Sequence, residues 1–383
     1  MMKHLKQLLV GFSLLALLIT IQQCKPDPPV SKINLTEPDS LYVGKPYTIT
    51  LPTGSGFHYR TITSPADNPI TYEGVALGRM LFYDTTLSNT KLLACGKCHQ
   101  QQFAFGDNTP KSINVAGATK RNTSALVNLG MNKTFFWDGR QASIEDAAKD
   151  ALENEQNPGH PGIPILLQYL DTTPAYKYLF KKAFGRPGDI TEDKVVKALA
   201  QFIRTFISVN SKYDKYLRGE QRPMADDEMR GMYIFLSQDS GDCTHCHADG
   251  DGTYSTFAFQ AIPFRNNALD TVESVNDFMD FGLGKFTGLT SDYGKFKIAT
   301  LRNVAVSAPY MHDGRFTTLD QIADHYGTKD SLKRSPTIDP LMERFVKPIP
   351  DLDPGQKAAL VAFLKTFTDT AFLHNPAFAN PFH

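Results

Sequence analysis

Neither sign of charge predominates in this chain: 40 lysines and arginines stand against 40 aspartates and glutamates, a formal net charge of zero. That balance removes the electrostatic reason to bind nucleic acid or an anionic membrane surface, and no nucleic-acid partner is expected. Cysteine is scarce too. Five in 383 residues, at 24, 95, 98, 243 and 246, make no disulfide scaffold and divide into a single residue and two close pairs. There is one tryptophan, Trp137. The apolar stretch at residues 8–21 falls short of the roughly 20 residues that span a bilayer. With 41% apolar and 21% charged residues the chain lies outside the ranges of disorder, collagen and coiled coils, and its length admits two packed domains.

Lys3, His4 and Lys6 precede the apolar stretch, and Gln22, Gln23 and Cys24 follow it, before a Pro-rich segment. This order reads as an export signal over residues 1–23. A cysteine directly after such a run resembles the lipidated cysteine of bacterial lipoproteins, which makes Cys24 the expected anchor. A plain cleaved signal and an uncleaved anchor are the alternatives. All three place the folded part outside the cytoplasm, in the periplasm or outer envelope, with membrane contact only through the anchor.

Residues 24–70, rich in Pro, Thr, Ser and Gly, read as a tether. Helical periodicity is clearest at Val195, Val196, Leu199, Phe202, Ile203, Phe206 and Ile207, with Thr191 as N-cap. Asp353-Pro354 opens a second such helix through Leu360, Val361, Leu364 and Phe367. The chain also echoes itself. Gly78 and Phe82 precede one cysteine pair, and Gly231 and Phe235 precede the other. Arg121-Asn122 leads to Trp137-Asp138-Gly139-Arg140, and Arg302-Asn303 leads to His312-Asp313-Gly314-Arg315. Two related halves are expected, residues 71–220 and 221–383.

Cys95-Gly96-Lys97-Cys98-His99 and Cys243-Thr244-His245-Cys246-His247 both fit C-x-x-C-H, the attachment motif of c-type haem. Two thiols at this spacing reach both vinyl groups of one porphyrin, and the adjacent imidazole is presented to the iron. A redox dithiol or a zinc site are the other readings of a cysteine pair. A dithiol needs no following histidine, and the wide separation of the pairs is unlike a zinc-finger framework. Two covalent haems are expected, and the free axial positions decide between electron transfer and ligand chemistry.

From about Pro69 to Thr368 the chain resembles the bacterial di-haem cytochrome c peroxidases, the family that includes the oxidase MauG. The resemblance is carried by Glu73-Gly74-Val75-Ala76-Leu77-Gly78-Arg79, by Phe103-Ala104-Phe105 after the first haem motif, and by Phe136-Trp137-Asp138-Gly139-Arg140. It continues through the second haem motif into Gly294-Lys295-Phe296-Lys297-Ile298-Ala299-Thr300-Leu301-Arg302-Asn303 and Ala308-Pro309-Tyr310-Met311-His312-Asp313-Gly314-Arg315-Phe316. It implies a mainly α fold of two cytochrome c-like helical domains with long loops, each carrying one covalent haem. It further implies His99 as proximal ligand of the peroxidatic haem and His247 as that of the electron-transfer haem. Trp137 falls on the tryptophan between the haems, as electron relay or as core aromatic. Asn122, Ser307 and Pro309 fall on the family's calcium positions.

Tyr326 falls where family members place the sixth ligand of the second haem, methionine in the peroxidases and tyrosine in the MauG type. A phenolate oxygen lowers the reduction potential and a thioether raises it. Met311 or His325 could ligate instead. No histidine stands between His99 and His160 to block the first haem, so that site is expected to be open. The family's distal glutamate is missing. Ungapped, the family's distal glutamine, proline and glutamate fall on Ala147, Ala151 and Asn157; with one inserted helical turn they fall on Asp150, Asn154 and His160. The second register makes His160 the expected acid–base group, with Glu153 and Glu155 in reserve and an idle, solvated histidine as the alternative.

The function these readings imply is an exported peroxidase. It reduces hydrogen peroxide with electrons from a small cytochrome c or cupredoxin, and it could work as a homodimer. A MauG-like oxidase of a protein or organic substrate and a non-catalytic electron carrier or sensor are the rivals.

Overall fold

The computed structural model describes residues 44–382 except 53–60, 89, 115–116, 154–161, 186–188, 221–223, 248–263, 329–334, 341 and 343–349. Cys24, Asn154, Glu155, Asn157, His160 and the apolar stretch at 8–21 lie outside the described residues.

The protein is mainly helical. The first half holds α1 (Tyr72–Tyr83), α2 (Cys95–Cys98), α3 (Ile144–Glu153), α4 (Ile163–Thr172), α5 (Pro174–Phe184) and α6 (Glu192–Arg204). After α7 (Lys212–Leu217) come α8 (Asp226–Leu236), α9 (Thr244–His247), α10 (Gly284–Thr287), α11 (Leu319–Gly327), α12 (Pro354–Lys365) and α13 (Thr370–Leu373). The described sheet is limited to two antiparallel hairpins, β1 (Ile113–Asn114) with β2 (Gly117–Ala118) and β3 (Phe264–Arg265) with β4 (Phe296–Lys297).

Local chemistry explains the two helices expected from periodicity. Thr191 Oγ1 accepts the Lys194 N–H at the start of α6, and Asp353 and Gln356 cap each other at the start of α12, where Pro354 occupies the first turn. Both helices stop a turn before the apolar periodicity does. Phe206 and Phe367 lie beyond the ends, buried in the two cores.

Each core is a helix crossing made at a glycine. A Cβ on Gly78 in α1 would lie 2.0 Å from the Ala198 carbonyl oxygen of α6, and one on Gly231 in α8 would lie 1.9 Å from the Ala359 carbonyl oxygen of α12. Only a glycine lets the backbones approach this closely. One turn on, Phe82 meets Phe202 and Phe206 edge to face, and Phe235 meets Phe363 and Phe367 in the same way.

Two segments cross the expected boundaries. Asn68 is buried, held by Glu145 and Gln201, and Arg204 Nε donates to the Thr63 carbonyl, so the packed body begins before Thr71. At the other end Phe372 and Phe378 enter the first core, where Tyr83 donates to the Phe378 carbonyl and Arg79 to that of Ala379. The last residues thus close the first half.

Candidate haem sites

The internal duplication has a register that residue identity alone misassigned. Asn303 has its structural counterpart in Asn128, not in Asn122. Both are left-handed (φ 58° and 55°). Their N–H groups donate to the carbonyls of Phe367 and Phe206, at the ends of α12 and α6. Both side chains reach Ser208, between the halves. The offset 303 − 128 = 175 then pairs Trp137 with His312, Phe136 with Met311, Gly139 with Gly314, and α3 with α11 from their first residues. The paired residues share backbone states, φ 65° with 73° and 69° with 72°.

The same offset makes Asn122 and Lys297 partners, and they build the seam between the halves. Asn122 N–H donates to the His312 carbonyl at 2.7 Å and Lys297 N–H to the Trp137 carbonyl at 2.8 Å, a reciprocal pair. Trp137 Nε1 donates to the Asn122 carbonyl at 2.9 Å. His312 is buried and stacks on Phe296 at 3.6 Å. Arg121 clamps the seam, with one nitrogen on Asp138 and two on Asp280.

The two C-x-x-C-H segments form short helices, α2 and α9, whose histidines point inward. His99 Nδ1 faces the Phe105 carbonyl at 2.7 Å. A carbonyl only accepts, so Nδ1 carries the proton and Nε2 keeps its lone pair for a metal. His247 Nδ1 is buried beside the Ala299 carbonyl without a completed hydrogen bond. Burial lowers both imidazoles, His247 to about 4, which keeps them neutral and able to ligate.

None of the four motif cysteines is in a disulfide. Burial pushes Cys95 up to about 12 and Cys246 to about 11, and raises Cys98. An activated dithiol needs the opposite shift. Among the described residues no group of three or more His, Cys, Asp and Glu could hold a metal. Cys95, His99, His247, Tyr326 and Lys297 are surrounded by protein yet keep accessible surface, so each borders internal space. Neutral thiols, a lone-pair nitrogen and internal space beside them fit a covalently attached porphyrin.

Tyr326 on α11 shares its enclosure with the second pair, since Cys243 and Cys246 act on its phenol electrostatically; burial raises that phenol well above the usual range. Asn267 Nδ2 donates to the Tyr326 hydroxyl at 2.8 Å and lies 3.6 Å from Met311 Sδ. The two candidate sixth ligands therefore meet at one side chain. His325 instead faces the Asn267 carbonyl at 3.1 Å. Asn267 has no motif around it and was invisible to sequence reading.

At the first site the counterparts cannot ligate. By the 175-residue offset Ala151 stands for Tyr326 and Phe136 for Met311. Ala151 is exposed, and Phe136 carries the Arg140 guanidinium 3.6 Å above its ring. The Asp150 carboxylate accepts hydrogen bonds from Arg140 and Gln141.

At the expected calcium positions, Asn122 Nδ2 donates to the carbonyls of Thr109 and Pro110, which turns Oδ1 away from them. The loop carrying Ser307 and Pro309 reaches this region through the Asn122–His312 bond and through Gly314, which lies against Pro110.

Comparison with known proteins agrees with this geometry. Residues 72–222 match the family described as di-haem cytochrome c peroxidase. The methylamine utilization protein MauG of Methylorubrum extorquens is 30% identical over 311 residues, 80% of this chain and 81% of that protein. The cytochrome c551 peroxidase of Nitrosomonas europaea is 30% identical over 297 residues, 76% and 79% of the two chains. The crystal structure of a MauG-like protein associated with microbial copper homeostasis superposes with a TM-score of 0.72 at 28% identity, covering 88% of this chain and all of that one. The diheme peroxidase BthA of Burkholderia thailandensis shares the fold, with a TM-score of 0.65 at 20% identity over 82% of this chain and 90% of that one.

Proposed function

Since the chain belongs to the di-haem cytochrome c peroxidase family, a family of oxidoreductases with two c-type haems, we propose that it reduces hydrogen peroxide to water, one haem turning over peroxide and the other passing electrons. The observation that carries this reading is the asymmetry between duplicated halves. Tyr326 and Met311 crowd the second site, whereas the first offers Ala151 and Phe136. Haem held at the first site by Cys95, Cys98 and His99 would supply the redox chemistry with peroxide.

The chain's own groups do the rest. Cys95 and Cys98 hold one porphyrin, Cys243 and Cys246 the other. The Phe105 carbonyl fixes the His99 tautomer and makes its Nε2 a stronger donor. Tyr326, deprotonated on binding metal, holds the second haem at low potential, with Asn267 steadying its oxygen. Trp137, hydrogen-bonded at the seam, relays electrons between the halves. His160 moves the proton from the inner to the outer peroxide oxygen. Asn122 Oδ1 with the carbonyls of Ser307 and Pro309 offers the hard oxygen donors that calcium takes. Export with a lipid at Cys24 places the reaction in the periplasm or outer envelope, where a small cytochrome c or cupredoxin delivers electrons. Among the described residues no helix is long and apolar enough to cross a membrane.

Loss of peroxide driven by reduced donor tests this reading, and Ala151→Tyr should abolish it while leaving both haems attached. No turnover with any cytochrome c or cupredoxin would contradict it. Tyr326 and the likeness to MauG favour a second reading, an oxidase acting on a protein or organic substrate; a modified product formed with peroxide and no donor distinguishes it.

A further inference from the structure

Among the described residues nothing answers the charge of Lys297. It ends β4, where its N–H bonds the Trp137 carbonyl and its cross-strand neighbour is Phe264, whose ring lies against Gly139. Side chains alternate along a strand, so Lys297 points away from Phe296 and the His312 stack. Among the described residues no carboxylate, carbonyl or hydroxyl meets its Nζ, and burial alone draws its pKa down to about 8.

Its position is defined from three directions. Two residues on, the Ala299 carbonyl borders His247. On the adjoining strand Arg265 acts on Cys246. Through the Trp137 carbonyl, Lys297 also touches the seam between the halves. The β3–β4 hairpin thus runs beside the second C-x-x-C-H segment, with the ammonium in internal space. A buried ammonium without a counter-charge is costly, a cost that an anion completing the site relieves. Porphyrins of the c type carry two carboxylates on propionate arms, so the group for which the enclosure is shaped brings the missing anion.

We infer that Lys297 is the counter-charge for a propionate carboxylate of the haem attached at Cys243 and Cys246. The inference rests on the haem assignment proposed above. Lys297 acts as a positioning and potential-setting residue: a fixed positive charge beside the macrocycle favours the ferrous form, which carries one more electron.

The test uses the exported chain carrying both haems, titrated spectroelectrochemically at the second haem as the parent, Lys297→Met and Lys297→Arg. Methionine keeps the length and removes the charge; arginine keeps the charge. Lys297→Met should disfavour the ferrous form about tenfold, about 59 mV downward for one electron, while Lys297→Arg stays near the parent. An unmoved potential in Lys297→Met, or an equal shift in both variants, would overturn the inference. Intact mass separates the two levels of failure: a parent chain lacking two haem increments overturns the haem assignment and this inference with it, whereas two haems and an unmoved potential overturn only the role of Lys297.

Discussion

Asp214 and Arg302 are both fully buried and bonded to each other, with Ser211 also donating to the carboxylate. Burial by itself would raise Asp214, but Arg302 and Ser211 hold it below its ordinary 3.8. Asp214→Ala leaves the guanidinium buried without its counter-charge and should cost about 3–5 kcal/mol, read as a large drop in Tm and in the denaturant midpoint. The sign of the pH dependence follows. A carboxylate lowered on folding contributes stability that is present above the ordinary carboxylate range and lost as pH falls through the lower folded value. The parent should therefore lose stability on acidification below about pH 4, and Asp214→Ala should lack that component.

Among the elements, the two glycine crossings carry the packing of both halves. Gly78→Ala and Gly231→Ala each drive a Cβ into a carbonyl oxygen about 2 Å away. Each should destabilise its own half by about 1–3 kcal/mol, visible as earlier loss of the near-UV signal. Equal thermal curves for the parent and both variants would contradict close helix contact at these points. These crossings were half legible in the sequence. Gly78 with Phe82 and Gly231 with Phe235 announced a repeated element, because spacing along one helix survives in a linear text. One part of the later echo misleads. Arg121-Asn122 and Arg302-Asn303 share letters, yet Arg121 clamps the seam while Arg302 pairs with Asp214 in the interior. The left-handed backbone at Asn128 and Asn303 follows instead the register of the Asp-Gly-Arg echo, 138–140 with 313–315. Nor does residue order show Asn267 beneath Tyr326, since their contact joins segments 59 residues apart.

At the scale of the whole molecule, the chain is one unit used twice. The halves share a glycine crossing, a C-x-x-C-H helix, a left-handed asparagine and a reciprocal backbone bond at the seam. They differ where axial ligands would come from: Tyr326 and Met311 in the second, Ala151 and Phe136 in the first. The two cysteine–histidine motifs were readable from the sequence because their spacing is local. The contacts of Asn267 with Tyr326 and Met311 required the structure. The account stands or falls on that difference between the halves, and an EPR and optical spectrum of the ferric protein with both haems attached, recorded before and after one equivalent of hydrogen peroxide, examines it directly. The account predicts one high-spin and one low-spin haem, with the high-spin signal lost on adding peroxide and no prior reduction. Two low-spin haems that ignore peroxide in the ferric protein would contradict it.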